Sequence, residues 1–532
     1  MTFVVVVADN IDEEGLQLLK SDPDFEVIST AGSSERLKEV ISRAHALLVR
    51  SSTKVTEKLL GKAPLLRVVA RAGIGVDNID VTAATRRGIA VINAPGANTV
   101  SAAEHAFALL LALVRKIPWA QESLRGGEWE RKRYAGTELR GKVLGLVGLG
   151  RIGEHVAGIA RAFGMEVIAY DPLLSASRAK QCGVQLARLD DLLASADVIS
   201  LHAPLNDETR HLLNHHRFGL MKPTSVVVNT ARGGLIDDHA LVEAIEAGKL
   251  AGAALDVFDP EPLPADSPLR TCDRIILTPH LAASTQEAQV RVAVEISRSI
   301  RTALTTGDIG GALNIPGVTS EVLARSRSEL DLSRRVGRIA AAVAQGPIQS
   351  LEVDYGGKDD GAPKPIMLAA VEGVLRAMGV DRVSLVNASV LAEERGISVS
   401  RRIGKPGGGF ETTVGVTVQT AHRKTTVVGA MVGPDKSRVI RIDDYEVDIV
   451  PEGALLILKN RDVPGVIGRV GTVLGGSDIN IGSYHQARLD REGAEALATI
   501  AVDQLPSPEV LKQLQDLPDL IEVHVVHLDG RA

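Results

Sequence analysis

Between residues 3 and 94, short aliphatic runs (Phe3 to Ala8, Ala46 to Val49, Leu66 to Ala70, Ile89 to Ile92) alternate with polar, helix-compatible stretches. That βα rhythm predicts a parallel sheet covered by helices. An apolar helix from Ala106 to Ile117, introduced by Ser101 and Glu104 at capping-box spacing and stopped at Pro118, predicts the link to a second unit. There the strand pattern recurs six times, at Val143 to Val147, Glu166 to Tyr170, Val198 to Leu201, Ser225 to Asn229, Ala251 to Val257 and Arg274 to Leu277. A long helical pattern from about Gln286 to Leu304, ending at Gly307, is read as returning to the first unit, which makes that unit discontinuous. The next region opens with a charged amphipathic helix near Glu321 to Ala344 and continues as mixed strands and helices around the Gly-rich stretch Lys405 to Gly409. The C-terminal part reads strand, helix, two strands, helix, strand, a ferredoxin-like βαββαβ order. Four domains are expected: residues 1–98 with 285–314, then 99–284, 315–450 and 451–532. The fold class is α/β, with two Rossmann-like parallel-sheet domains, an α+β intervening domain and the ferredoxin-like tail.

A length of 532 residues suits several domains. Aromatics make up only 3% of the chain against 45% apolar residues, so Ala, Val, Leu and Ile must fill the cores. With 66 acidic against 60 basic residues, bulk charge gives no grip on nucleic acid or on an anionic membrane. The two cysteines, Cys182 and Cys272, make neither a disulfide framework nor a zinc pattern, which points to a reducing, cytoplasmic setting and no metal. The N-terminus meets Asp9 and Asp12 before an apolar leader can form, and the longest uncharged apolar run, Ala106 to Val114, falls short of the roughly 20 residues that span a bilayer. No membrane partner is expected.

The first strand of the second unit runs directly into Gly148-Leu149-Gly150-Arg151-Ile152-Gly153, and a helical pattern follows. Strand, turn and helix together make this the glycine fingerprint of a dinucleotide site, where backbone amides at a helix N-terminus approach a pyrophosphate. The next strand ends at Asp171, placed to accept hydrogen bonds from ribose hydroxyls; Pro172 and Leu173 follow it, and no Arg is at hand to hold a 2′-phosphate. NAD is therefore favoured over NADP.

Ligands of open α/β sheets lie beyond the carboxyl ends of the strands, and the last three predicted strands end in Asn229-Thr230-Ala231-Arg232, in Asp256 to Pro262, and in Thr278-Pro279-His280. Arg232 can hold a carboxylate and polarise a carbonyl. His280 can exchange a proton with a hydroxyl, and Glu261, between two prolines, can orient the imidazole. These three are the candidate catalytic residues for hydride transfer to and from a 2-hydroxy acid.

With Arg71 to Asn78, Gly148 to Gly153, Asn229 to Gly234, Ala254 to Phe258 and Pro279 to Thr285, the sequence resembles the D-isomer-specific 2-hydroxyacid dehydrogenase family, and within it the long-form members that oxidise 3-phosphoglycerate to 3-phosphohydroxypyruvate with NAD at the start of serine synthesis. The resemblance implies cofactor contacts at Gly148, Gly150, Arg151, Ile152, Gly153, Asp171, Thr230, Ala231, Arg232, Asp256, His280, Ala282 and Ala283. Ala282 stands where relatives often have Gly. For the substrate, the first unit offers Arg50, Ser51 and Arg71 toward the phosphate, with the amides of Gly73, Ile74 and Gly75 toward the carboxylate. The tail resembles an ACT domain, which implies serine as effector at Asn460, Asp462, Gly465 and Asn480, or a domain serving assembly alone. The run Arg131-Lys132-Arg133 is either a contribution to a neighbouring subunit's site or a solvated turn, and Arg401-Arg402 with His422-Arg423-Lys424 is either an anion site of the intervening domain or a solvated face. Family members of this kind are homo-oligomers, dimers or tetramers. The alternatives are a glyoxylate or hydroxypyruvate reductase of the same family and, from another class, an NAD-sensing binding protein without turnover.

Overall fold

The computed structural model describes residues 2–489 and 495–528. Strands β1 (Phe3–Val7), β2 (Phe25–Ser29), β3 (Ala46–Val49), β4 (Val68–Arg71) and β5 (Ala90–Asn93) form a parallel sheet in the order β2-β1-β3-β4-β5. A second parallel sheet holds β6 (Val143–Val147), β7 (Glu166–Tyr170), β8 (Gln185–Leu186), β9 (Val198–Leu201), β10 (Val226–Asn229), β11 (Gly252–Leu255) and β12 (Ile275–Leu277), ordered β12-β11-β10-β9-β6-β7-β8. Its inner strands β9, β10 and β11 are buried at every position because helices cover both faces, which is why they read as unbroken aliphatic runs. The strand order reverses between β6 and β9, and the glycine turn sits at that switch point. The seventh strand, β8, escapes the sequence pattern because two edge residues carry no periodicity.

The chain crosses between these units twice. After β5 the helix Thr99–Val114 packs on the second sheet, and after β12 the helix Gln286–Thr306 packs on the helix Glu13–Lys20 of the first unit, ending at Gly307 with φ +72°. Two local expectations are corrected here. Ser101 lies inside its helix instead of capping it, and its hydroxyl donates to the Ala282 carbonyl at 2.8 Å, a tertiary bond that displaces the capping box. Pro118 does not stop the helix. Lys116 does, at φ +56°, and Pro118 falls in the first turn of a new helix, Ile117–Arg125, where its missing N–H has no partner to lose.

The third region carries β13 (Ile348–Gly356), β14 (Ser398–Gly404), β15 (Thr412–Thr420), β16 (Lys424–Met431), β17 (Ser437–Ile442) and β18 (Tyr445–Ile449) in the order β14-β13-β15-β16-β17-β18, antiparallel except for β13 with β14. The single helix expected near 321–344 is two, Ser320–Arg325 and Arg327–Val343, broken at the buried Ser326. In the tail, β19 (Gly453–Arg461), β20 (Ile481–Arg488), β21 (Glu495–Val502) and β22 (Leu520–Leu528) pair as β20-β21-β19-β22 beside the helices Val466–Gly475 and Pro508–Gln515. One apolar core runs from β1 and β4 through the Gln286–Thr306 helix into the third region and on to Leu455 and Val526 of the tail. Among the described residues no helix is long and apolar enough to cross a membrane, and no group of three or more metal-ligating side chains occurs.

Candidate active site

The glycine turn is built by close approach. Gly148 has φ +94°, and a Cβ there would lie 2.8 Å from the His202 backbone; a Cβ at Gly153 would lie 2.5 Å from the Gly148 carbonyl. Gly150 caps the helix Arg151–Ala162 without any side-chain hydrogen bond, so the first amides of the helix stay free to meet a phosphate, and nothing lies within 4 Å of a Cβ built there. Asp171 takes the Leu149 amide at 2.9 Å on Oδ2 and the Leu173 amide at 3.0 Å on Oδ1, so it ties the end of β7 to the turn. On the opposite side of the switch point, the Thr230 hydroxyl is buried without a hydrogen-bond partner. An open, uncapped helix start and an orphaned hydroxyl fit a dinucleotide carrying phosphates and a polar carboxamide. Arg151 approaches Glu295 of the helix Gln286–Thr306, which reaches across from the first unit, while Ile152 is half-buried behind the turn. We expect Asp171→Ala to raise the ratio of NADP to NAD turnover several-fold, since the carboxylate that repels a 2′-phosphate is gone; paired steady-state kinetics check it, and the ratio is insensitive to a general loosening of the turn.

Arg232, Glu261 and His280 lie together at the ends of the last three strands. His280 Nδ1 is 2.8 Å from Glu261 Oε2, and Glu261 Oε1 accepts the Phe258 amide at 3.0 Å. Burial pushes the Glu261 carboxyl up, but the His280 bond, the Phe258 amide and the Arg232 charge outweigh it and hold Glu261 below its ordinary value. His280 adopts φ +54°, a left-handed conformation that costs a residue with a Cβ roughly 1 kcal/mol. The turn is held in that shape by Asp256, which accepts from the Leu281 and Ala282 amides at 2.8 and 2.9 Å and from the Thr278 hydroxyl at 2.6 Å. His105 Nε2 adds a contact to the same carboxylate at 3.2 Å. Asp256 is fully buried, and in this structure its carboxylate holds the 280–283 turn. The Ala283 carbonyl is taken by Gln289 at 2.7 Å, which pins the far end of that turn.

Across the cleft stands a cluster of cations. Arg232 Nε pairs with Asp77 Oδ2 at 3.1 Å, and its Nη1 donates to the Ala231 carbonyl at 2.6 Å; the Ala231 amide is held in turn by Asn229. A Cβ at Gly75 would overlap the Arg232 guanidinium, so glycine there admits the side chain. Arg71 is lowered below its ordinary value by burial first and then by the neighbouring Arg232 charge, with Arg50 adding to the effect. Arg50 and Arg232 thus lie close enough to perturb Arg71, and Asp77 and Asp9 offset only part of that gathered positive charge. Asp9 shapes it by accepting the Arg50 and Thr53 amides, at 2.6 and 3.2 Å, and leaves Ser51 exposed. Asn78 bridges the Arg50 and Thr53 carbonyls at 2.7 Å each, and Asn93 holds the Ile74 carbonyl of the Gly73–Gly75 loop at 2.5 Å. Asp9, Asn78, Asn93 and His105 were not singled out by sequence, because each acts through a partner distant along the chain.

Of the tail positions, Asp462 is exposed and 3.3 Å from Arg488, and Gly465, at φ +92°, opens the helix Val466–Gly475 without a side-chain cap. Asn480 is exposed, its amide 3.1 Å from Asp503. Asn460 is 1% exposed and turned to the Arg461 carbonyl, so it lines the inside of the fold in this chain. In the third region Arg402 pairs with Glu352 and Asp354, and Arg423 pairs with Asp443 and with Glu522 of the tail at 2.8 Å. Arg423 is thereby a joint between the third region and the tail, whereas Arg402 stays exposed on the surface of its sheet.

Family models match three stretches: the D-isomer specific 2-hydroxyacid dehydrogenase NAD-binding domain over residues 107–282, the D-3-phosphoglycerate dehydrogenase intervening domain over 327–443, and the ACT domain over 454–519. The D-3-phosphoglycerate dehydrogenase of Synechocystis is 40% identical over 98% of this chain and 94% of its own, and that of Bacillus subtilis is 39% identical over 99% and 100%. The D-lactate dehydrogenase of Aquifex aeolicus, solved with NAD and lactic acid, superposes with a TM-score of 0.51 at 32% identity over 57% of this chain and 96% of that one. The chain belongs to the D-3-phosphoglycerate dehydrogenase family, the branch of the NAD-dependent D-isomer-specific 2-hydroxyacid dehydrogenases that carries an intervening and an ACT domain.

Proposed function

We propose that this chain oxidises 3-phosphoglycerate to 3-phosphohydroxypyruvate and is restrained by serine acting on its ACT domain. The observation that carries the reading is the pairing of His280 with Glu261 on one wall of a cleft whose other wall gathers Arg50 and Arg71, with Arg232 between them. Because Glu261 stays ionised, it fixes the proton of the imidazole on Nδ1 and leaves Nε2 as the lone pair that takes the C2 hydroxyl proton. Arg232 holds the carboxylate and polarises the C2 oxygen as the carbonyl forms. Bound NAD supplies the acceptor for the hydride that leaves C2. Arg50 and Arg71 have the charge to hold the phosphate at the far end, with Ser51 beside them, while the Ile74 and Gly75 amides face the carboxylate, the Gly73 amide being taken by the Arg71 carbonyl at 2.9 Å.

In this reading residues 1–98 and 285–314 bind substrate, 99–284 bind NAD, 315–450 intervene, and 451–532 sense the effector through Asp462, Gly465 and Asn480. A homo-oligomeric assembly, dimer or tetramer, belongs to the same proposal; the exposed Ile117, Leu124 and Trp129 beside the exposed 131–133 basic run support it. The test is NADH consumption with phosphohydroxypyruvate, hydroxypyruvate and glyoxylate in parallel, with and without serine. The phosphorylated substrate should give the highest kcat/KM, with serine lowering the rate. A preference for glyoxylate would identify a reductase of the same family, and binding of NADH without turnover on any of the three would identify a sensor.

A further inference from the structure

We infer that a small polyanion binds in the cleft where the third region docks on the first unit. The cavity there measures about 510 Å³ and is lined by Arg86 and Arg87 from the end of the helix Val81–Arg86 and by Arg382, Asn387 and Arg395 from the third region, with Asp381 as the only acid on its wall. Two arginines from each side of the domain contact line this one cavity, and few carboxylates stand against them. Arg86 pairs with Glu394 at 3.2 Å, and Arg87 reaches Glu57 only at 3.5 Å. Arg395 donates to the Leu391 carbonyl alone, and among the described residues no carboxylate pairs with Arg382 or Arg395. By contrast, Arg402 and Arg423 elsewhere in the region have their carboxylates in place. The junction therefore holds arginines short of carboxylates on both of its sides.

The backbone fixes the arrangement. Arg382 sits at φ +55°, a conformation kept here because Asn387 Nδ2 donates both to the Arg382 carbonyl at 3.0 Å and to the Arg86 carbonyl at 3.3 Å. Ser384 adds a bond to the Gly88 carbonyl at 3.3 Å, where a Cβ on Gly88 would meet Asn387 at 2.9 Å. The volume lies in the range of small-metabolite sites and exceeds the needs of a single inorganic ion. Forked donors from two sides match a molecule with two or more phosphate or carboxylate groups.

The site has a short route to the substrate. The helix Val81–Arg86 is six residues long, capped by Asp80, and directly follows Asp77 and Asn78, which hold Arg232 and the Arg50 carbonyl. A ligand drawing Arg86 and Arg87 toward Arg382 moves the other end of the same rigid turn, so binding at the junction and binding of substrate are linked in both directions. This coupling rests on the proposed reading of the cleft; the binding itself does not.

The experiment is calorimetric titration of the full-length enzyme with pyrophosphate and, separately, with citrate, at fixed ionic strength. Wild type, Arg382→Ala/Arg395→Ala and the cleft variant Arg71→Ala are compared. The double variant should weaken one class of binding at least about tenfold while Arg71→Ala retains it, and turnover of the double variant without added anion should match wild type. The tighter of the two probes tells phosphate from carboxylate chemistry. Superimposable titrations of wild type and double variant, or loss of all binding in Arg71→Ala alone, would overturn the site. If the double variant does not fold, the exposed Arg382→Glu change is read the same way. A failure of the dehydrogenase reading would appear in turnover and leave the titrations untouched.

Discussion

Replacing His280 with Ala should lower kcat by about 10²–10⁴-fold, the usual contribution of a positioned acid or base, and leave NADH affinity nearly unchanged. The imidazole is half-exposed into the cleft, and its only side-chain partner among the described residues is Glu261 at 2.8 Å. The turn that presents it is held by the Asp256 carboxylate bonding the Leu281 and Ala282 amides, so truncation of the ring leaves the turn standing. Stopped-flow turnover with a fluorescence titration of NADH separates the two effects. Loss of NADH binding would show instead that the ring shapes the cofactor side. A related pH effect follows from Glu261, whose folded-state value is depressed below that of an ordinary glutamate. The stabilisation from its pairing is complete above its unfolded value and disappears as pH falls through the lower folded one. In mild acid the carboxylate therefore remains charged and keeps orienting His280.

Arg232→Lys should reduce kcat/KM by about 10²–10³-fold, because an ammonium cannot reproduce a planar fork and, in the proposed reading, this group faces the oxygen on which charge develops. Lys keeps the positive charge, so long-range attraction of an anionic substrate is largely preserved and the loss reads as one of geometry. The side chain enters between Gly75 and Asp77, where a shorter reach from the Ala231 carbonyl would leave the space beside Gly75 unfilled. Comparing kcat/KM for Lys and Ala variants, with and without added guanidinium, checks the point. A Lys variant as active as wild type would remove Arg232 from the chemistry.

How much of this was legible beforehand follows from the kind of interaction. Parallel strands buried on both faces advertise themselves as aliphatic runs, and once they are parallel, the residues that end them must share one edge; Arg232, Glu261 and His280 could be grouped on that ground alone. The glycine turn was legible because close approach leaves few residue types. What stayed hidden depends on partners remote in sequence: Asp9 with Arg50, Asn93 with Ile74, and His105 with an aspartate 151 positions away. Ser101 matched a local capping pattern, yet a tertiary acceptor at Ala282 claimed its hydroxyl. Pro118 was ambiguous for a related reason, since proline both ends helices and begins them. Arg423 looked like free surface charge until Glu522 from another domain met it.

The ion pair between Arg232 and Asp77 is also a clasp across the two units, joining a loop after β4 to the end of β10. Asp77 is 66% exposed, so the clasp is weak, worth at most about 1 kcal/mol. Its effect is positional: in the proposed reading, an internal carboxylate sits on Arg232 in the place that a substrate carboxylate would take. Arrival of the ligand is then an exchange of one anion for another on a guanidinium already aimed.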